Sequence, residues 1–183
     1  MKALVFASSM AYGWGSMYSV TKVVGEELCH AYQQMTGAAV AMLRYHAFTP
    51  SPYLQYGVCL LRNGVDRADV AAATLAALHA VTEGRVKLFR TIVHTDHHMP
   101  LEVIADFLRL GPAWCEQQIP GARGLIEKYH LDLPAKVEQH DLSEAARVLD
   151  WRPTVGFLEF LHDLHAWDAR DENVRDLRVN GVL

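Results

Sequence analysis

The feature that most constrains the fold is the first stretch of the chain, where two short apolar segments flank an amphipathic one. Lys2–Ala7 is an apolar run of strand length, and Ala39–Arg44 is a second. Between them, residues 18–35 place apolar side chains three and four positions apart, which is typical of a helix with one buried face. Because continuous apolar runs of this kind suit parallel sheets, the stretch predicts a strand, a helix and a second, parallel strand.

The rest of the chain continues this alternation. Residues 86–94 are predicted to form a further strand, and helices are predicted over residues 66–81, 101–110, 143–149 and 155–166. Thr49–Gly57 contains two prolines and is predicted to be a loop, followed by a short strand over Val58–Leu61. Gly111-Pro112 is expected to end the helix that begins near residue 101. The predicted class is α/β with a mostly parallel sheet.

Composition narrows the class of protein. The chain has 183 residues, 51% of them hydrophobic and 21% charged, which favours one globular domain over residues 1–167 with a polar tail over 168–183. The net charge is −4 and no basic stripe occurs, so nucleic acid is not an expected partner. No apolar run reaches membrane-spanning length, and the first residues lack the layout of a signal peptide. Three widely spaced cysteines fit neither a disulfide framework nor a zinc site, so a cytoplasmic protein is expected.

The candidate catalytic residues lie where the first strand passes into the first helix. Tyr18 and Lys22 are four positions apart, so they share one helix face. A positive charge beside a phenol stabilises the phenolate, which makes the pair an acid–base device. Ser8 and Ser9 stand at the end of the preceding strand, where a serine hydroxyl can bond the same substrate oxygen. The predicted catalytic set is therefore Tyr18, Lys22, Ser8 and Ser9.

Several motifs, in this order, resemble the extended short-chain dehydrogenase/reductase family, the NAD-dependent epimerases and dehydratases of nucleotide sugars. They are FASSMAYG at residues 6–13, the Tyr-x-x-x-Lys motif as YSVTK, Gly25-Glu26, and Leu43-Arg44-Tyr45 closing the next strand. Residues 63–71 and 141–153 extend the resemblance into the C-terminal half. The second of these segments is close to the closing motif of the family, with Glu144 in place of a lysine and Asp150 in place of a glycine.

The resemblance implies a truncated Rossmann-like, three-layer fold with a small, α-rich remnant of the substrate lobe at its C-terminal end. It implies that Tyr18 exchanges a proton with a substrate hydroxyl while hydride passes to a nicotinamide. Lys22 would hold the nicotinamide ribose, and Tyr45 and His46 would face the cofactor, although a packed or solvated His46 is the simpler interpretation. Both Ser8 and Ser9 are candidates for the catalytic serine of the family, because counting back from Tyr12 favours Ser8 and counting forward from Phe6 favours Ser9.

The glycine-rich phosphate site of the family is absent, since no Gly-x-Gly-x-x-Gly occurs in the chain. NAD(P) is therefore expected to bind only if a partner chain or a dimer mate completes the site. A homodimer or a partner chain is also expected to cover the cut edge of the sheet. Two alternatives stay open: a cofactor-independent isomerase, dehydratase or cyclase acting on a small molecule, and a non-catalytic binding or assembly subunit.

The segment His94-Thr95-Asp96-His97-His98 contains metal-binding side chains. No second cluster supplies partners at a known spacing, so the segment is predicted to be a polar loop and no metal site is expected.

Overall fold

The computed structural model describes residues 3–179. Its strands are β1 (Ala3–Ser9), β2 (Ala39–Tyr45), β3 (Ser51–Pro52), β4 (Leu88–Val93) and β5 (Arg178–Val179). Its helices are α1 (Met17–Thr36), α2 (Tyr53–Leu60), α3 (Arg67–Thr82), α4 (Leu101–Ala105), α5 (Phe107–Gln118), α6 (Ala122–Lys128), α7 (Ser143–Leu149) and α8 (Phe157–Ala169). None of the helices in this described part is both long enough and apolar enough to span a bilayer.

The chain forms two compact units. Unit 1 takes in the residues up to 46, residues 67–94 and residues 140–152. Unit 2 takes in residues 47–66, residues 95–139 and the residues from 153 onward.

Unit 1 is built on a three-stranded sheet in the order β1-β2-β4, with both pairs of neighbours parallel. Ser9 lies opposite Tyr45, and Tyr45 opposite Val93, so the three strands end at the same edge. The predicted parallel sheet is thereby confirmed. β2 is buried along almost its whole length, as expected for a central parallel strand.

The sheet has helices on both of its faces, as the three-layer prediction requires. Arg44 bonds to Glu26 of α1, whereas the hydroxyl of the next residue, Tyr45, lies 2.7 Å from the Thr74 hydroxyl of α3. Adjacent strand residues point to opposite faces, so α1 and α3 cover opposite sides. α7 packs against α3 and β4.

β1 is one of the two edge strands of this sheet within the described residues, since β2 is its one hydrogen-bonded neighbour there. Its apolar side chains Leu4, Val5 and Phe6 are only half-buried, in contrast to the fully buried Val40 and Leu43 of β2. An edge that carries apolar side chains is a surface that further structure can cover.

Unit 2 is α-rich and has its own core, which includes Phe107, Phe157, Phe160, Leu161 and Leu164. β3 and β5 form a short antiparallel pair beside α2, in which Ser51 lies opposite Val179. The segment predicted to be a polar tail from residue 168 therefore contains the end of α8 and a strand.

The prediction of a loop over Thr49–Gly57 and a strand over Val58–Leu61 is wrong, because α2 occupies most of both segments. Pro52 precedes the first helical residue, a region where proline is tolerated. Tyr53, Tyr56 and Leu60 are buried at helical spacing. The packing of this face decides for helix in a short apolar run that sequence periodicity alone leaves ambiguous.

Gly111-Pro112 does not end a helix. α4 ends at Ala105, and α5 begins at Phe107 and continues through Pro112 to Gln118. Phe107, Gly111 and Cys115 are buried four residues apart, so the packed face of α5 outweighs the hydrogen bond lost at the proline.

Candidate functional site

The two serines at the end of β1 have different surroundings. Ser8 is 3% exposed, and its hydroxyl donates to Glu26 Oε1 at 2.5 Å. Ser9 Oγ accepts a hydrogen bond from the backbone N–H of Ala11 at 3.1 Å, within the turn that follows the strand. Since neighbouring strand residues alternate between faces, the two hydroxyls point to opposite sides of the sheet.

Glu26 is the centre of a buried ion-pair network that fixes α1 to the sheet. Arg44 donates to both carboxylate oxygens at 2.8 Å, and Arg90 approaches to 3.4 Å. Burial alone would raise the pKa of Glu26, but the hydrogen bonds from Arg44 and Ser8 and the two guanidinium charges outweigh it and lower that pKa. The carboxylate is therefore ionised near neutral pH, and Ser8 is one of its donors.

Tyr18 and Lys22 lie together on the first turns of α1. The helix begins at Met17 with Ser16 as its N-cap, whose side chain accepts the Ser19 N–H. The Lys22 ammonium donates to the Ala7 carbonyl at 2.8 Å and lies 5.3 Å from the centre of the Tyr18 ring. Tyr18 is 54% exposed, so its phenol is accessible from solvent.

Of the four predicted catalytic residues, the structure thus brings Tyr18 and Lys22 together beside the end of β1. It directs Ser8 to Glu26 and ties Ser9 to the turn at Ala11.

Sequence analysis attached no role to Glu26 or Arg44, although one signal was available. Glu26 falls between Val23 and Cys29, so it lies on the buried face of a predicted amphipathic helix. A carboxylate at such a position needs a cationic partner. The Arg44 guanidinium also stacks over Tyr12, 3.8 Å from the ring centre, which connects the network to the turn after β1.

The two residues predicted to face a cofactor are both buried. The Tyr45 hydroxyl lies 2.7 Å from Thr74 Oγ1, and burial raises the pKa of Tyr45 more than this bond lowers it. The ring of His46 packs 4.1 Å from that of His94 and 4.9 Å from that of His140.

The residues of this chain do not by themselves fit a dinucleotide. The sequence lacks a glycine-rich phosphate cradle, and the side chains of Tyr45 and His46 are engaged within unit 1. Lys22 is the remaining predicted contact, and its ammonium lies at the end of β1.

No model of a known protein family matches the chain, and no curated protein sequence matches it. Solved structures do. The UDP-glucuronic acid 4-epimerase of Bacillus cereus in complex with NAD is 17% identical with a TM-score of 0.53, covering 93% of this chain and 62% of its own. A UDP-galactose 4-epimerase is 20% identical with a TM-score of 0.53, covering 93% and 64%. The UDP-glucose 4-epimerase of Brucella ovis in complex with NAD is 14% identical with a TM-score of 0.52, covering 87% and 62%.

At these identities the similarity shows the fold alone. The chain spans about 62% of the length of the first of these enzymes. The predicted α/β class is confirmed, and the sequence resemblance is supported at the level of architecture: this chain has the fold of the corresponding part of nucleotide-sugar 4-epimerases.

Proposed function

We propose that this chain carries the tyrosine–lysine acid–base half of an epimerase- or dehydratase-like enzyme that acts on a hydroxyl group of a nucleotide sugar. The observation that carries the proposal is the position of the Lys22 ammonium. It is held by the Ala7 carbonyl at the end of β1 and lies 5.3 Å from the Tyr18 ring, within an epimerase-like fold.

The geometry supports a proton-transfer role for Tyr18. Its phenol is exposed enough to meet a substrate hydroxyl, and the Lys22 ammonium lies 5.3 Å from the ring centre, so both groups can reach the same substrate. Neither serine adds to this assignment, because the Ser8 hydroxyl is donated to a buried carboxylate and Ser9, beside Tyr45, faces the side of the sheet opposite α1. Ser8 then acts through Glu26, as part of the network that holds α1.

Epimerase- and dehydratase-like enzymes of this kind also need a nicotinamide dinucleotide, and the residues of this chain do not by themselves form a site for it. We therefore assign the dinucleotide-binding half to structure outside the described residues. The half-buried apolar side chains of the β1 edge support this assignment, since additional strands would bury them.

We further propose that a second copy of the chain packs on the apolar face of α1. This face is formed by Met17, Val24, Leu28 and Met35, all of them exposed. Four large, exposed apolar side chains on one face of a helix are typical of an interaction surface.

The test uses the chain purified from its own cells under conditions that retain bound partners. It is assayed for NAD(P)-dependent conversion of a panel of UDP-sugars. Tyr18→Phe keeps the ring and removes the acid, so turnover is expected to fall at least about 100-fold with the fold unchanged. The matched control is Tyr32→Phe, which removes a phenol from the same helix and is expected to leave turnover unchanged.

A serine variant separates structure from catalysis. Ser8→Ala is expected to lower stability through the loss of a hydrogen bond to Glu26. The proposal is overturned if the partner-retaining preparation converts no nucleotide sugar, or if Tyr18→Phe turns over as fast as the unaltered chain.

A further inference from the structure

Three histidines converge at the carboxyl edge of the unit 1 sheet. His46 directly follows β2, His94 directly follows β4, and His140 lies three residues before α7. The ring centres of His46 and His94 are 4.1 Å apart, those of His46 and His140 4.9 Å, and those of His94 and His140 5.0 Å. Nε2 of His46 and Nε2 of His140 lie 3.1 Å apart.

The spacing of the nitrogen atoms is close to that of a metal site. One ring nitrogen from each histidine can be chosen so that all three lie within 4.8 Å of one another. Nitrogen ligands about 2.0–2.1 Å from a tetrahedral zinc ion are about 3.3 Å from each other. The 3.1 Å separation between the two Nε2 atoms of His46 and His140 is close to this value, and one nitrogen of His94 lies within 4.8 Å of a nitrogen of each of the other two rings.

Burial supports the same interpretation. His94 is 0% exposed and His46 is 5% exposed, so two of the three imidazoles are shielded from water. His140 is half-buried and gives the cluster one side from which an ion can enter.

We propose that His46, His94 and His140 bind one divalent transition-metal ion, with Zn²⁺ as the first candidate. Imidazole nitrogen suits Zn²⁺ and its neighbours in the first transition row, whereas Mg²⁺ and Ca²⁺ prefer oxygen ligands. The cluster found among the described residues consists of imidazoles without a carboxylate, so it selects against those two ions.

The ion would join three segments that are far apart in sequence. It would connect the ends of β2 and β4 with the segment leading into α7, and so add a cross-link to unit 1. Three protein ligands leave a fourth position of a tetrahedral ion for water or an added ligand. This inference does not depend on the proposed acid–base role of Tyr18.

The test uses tag-free, metal-depleted full-length chain titrated with Zn²⁺ by calorimetry. One ion per chain is expected to bind with a Kd of about 1 μM or lower, and the melting temperature is expected to rise with Zn²⁺ concentration. Co²⁺ in place of Zn²⁺ is expected to give visible absorption bands of a low-coordinate nitrogen site.

Variants assign the binding to the cluster. His140→Gln alters the most accessible ligand and is expected to weaken binding by at least about tenfold, as is His46→Gln. His79→Gln removes an exposed histidine of α3 and is expected to change nothing. Circular dichroism without metal checks that each variant is folded. If His46→Gln does not fold, the comparison of His140→Gln with the unaltered chain tests the proposal.

The proposal is overturned if the folded chain takes up no Zn²⁺, or if its Kd is in the millimolar range. It is equally overturned if His140→Gln binds as tightly as the unaltered chain. Either result would leave the three rings as an ion-free cluster held by their mutual contacts.

Discussion

Ser8 and Ser9 are adjacent in sequence, yet their roles separate because strand residues alternate between the two faces of a sheet. Sequence analysis could place both serines at the end of a strand, but could not choose between them. The choice depends on Glu26, which is 18 residues away and becomes a neighbour of Ser8 only when α1 packs on the sheet. A contact between elements, rather than a local motif, ties Ser8 to Glu26.

The buried side chain of His97 predicts how the stability of the protein depends on pH. Its ring is buried, its Nε2 donates to the Leu60 carbonyl, and burial lowers its pKa to about 4, outweighing that bond and the charges of Asp96 and Glu159. The ordinary pKa of a histidine is about 6.5 in an unfolded chain, so between these values the unfolded state binds the extra proton. The stabilising contribution is complete above pH 6.5 and is lost as the pH falls towards 4, by about 3 kcal/mol.

Chemical unfolding at several pH values measures this loss. His97→Gln keeps a donor for the Leu60 carbonyl and removes the titration, so its free energy of unfolding should fall less steeply between pH 6.5 and 4. His162→Gln, an exposed histidine of α8, is the control and should follow the unaltered chain. Parallel curves for His97→Gln and the unaltered chain would contradict the prediction.

At the scale of whole elements, Gly57 shows why α2 was mistaken for a loop. Glycine and proline are read as breakers in sequence, and this segment contains both. In the structure Gly57 is helical and lies against Phe160 of α8, where an added Cβ would be 2.3 Å from the ring. The glycine allows two helices to approach closely, and that function is invisible until the partner helix is known.

Gly57→Ala is therefore expected to destabilise the chain by about 1–3 kcal/mol, because Phe160 is itself buried and has little room to shift. Gly124→Ala is the matched change in α6, where nothing lies within 4 Å of the added Cβ. That variant is expected to gain about 0.5–1 kcal/mol from helix propensity. Thermal and urea unfolding of both variants measure the difference, and equal effects would show that the contact with Phe160 is unimportant.

Other elements agree with the prediction because their own sequence patterns are strong. β2, α3 and β4 agree with prediction to within two residues at each end, since long periodic or continuous apolar runs are strong signals. α7 has the predicted bounds, and Asp150 after it adopts φ 54°, the left-handed conformation. The family resemblance places a glycine there, and this conformation is the physical reason for one.

At the scale of the whole molecule, the exposed apolar face of α1 is a surface that another chain can cover. The apolar face of α1 predicts self-association, and Leu28 lies near its centre with 65% of its surface exposed. Leu28→Glu puts a charge into the proposed interface and is expected to weaken dimerisation by at least about tenfold, or about 1.4 kcal/mol. The stability of the protomer should change little, since the side chain is exposed.

Analytical ultracentrifugation over a range of concentrations measures the effect. Leu108→Glu is the control, because Leu108 is 59% exposed on α5 of unit 2 and lies outside the α1 face. A monomeric unaltered chain, or equal association of the two variants, would contradict the prediction.

The histidine cluster also depends on the tertiary fold rather than on local sequence. Its members are separated by 48 and 46 residues along the chain, so no spacing rule for metal ligands applies. Sequence analysis considered His94 only with its neighbours in the same segment and predicted a polar loop there. The segment is indeed a loop, but His94, Thr95 and His97 are buried in it. The parallel register that ends β2 and β4 at one edge creates the cluster.

The order in which the ribosome makes the chain gives the two-unit arrangement a further consequence. Unit 1 includes residues 140–152, and unit 2 includes the strand at residues 178–179, so each unit waits for segments that are made after residue 139. Until then, β1 and β2 can pair and α1 can pack, but α3 and β4 lack α7, and β3 lacks β5. A nascent chain that stops near residue 140 would therefore expose unfinished cores in both units, which makes it a substrate for chaperones and proteases rather than a stable fragment.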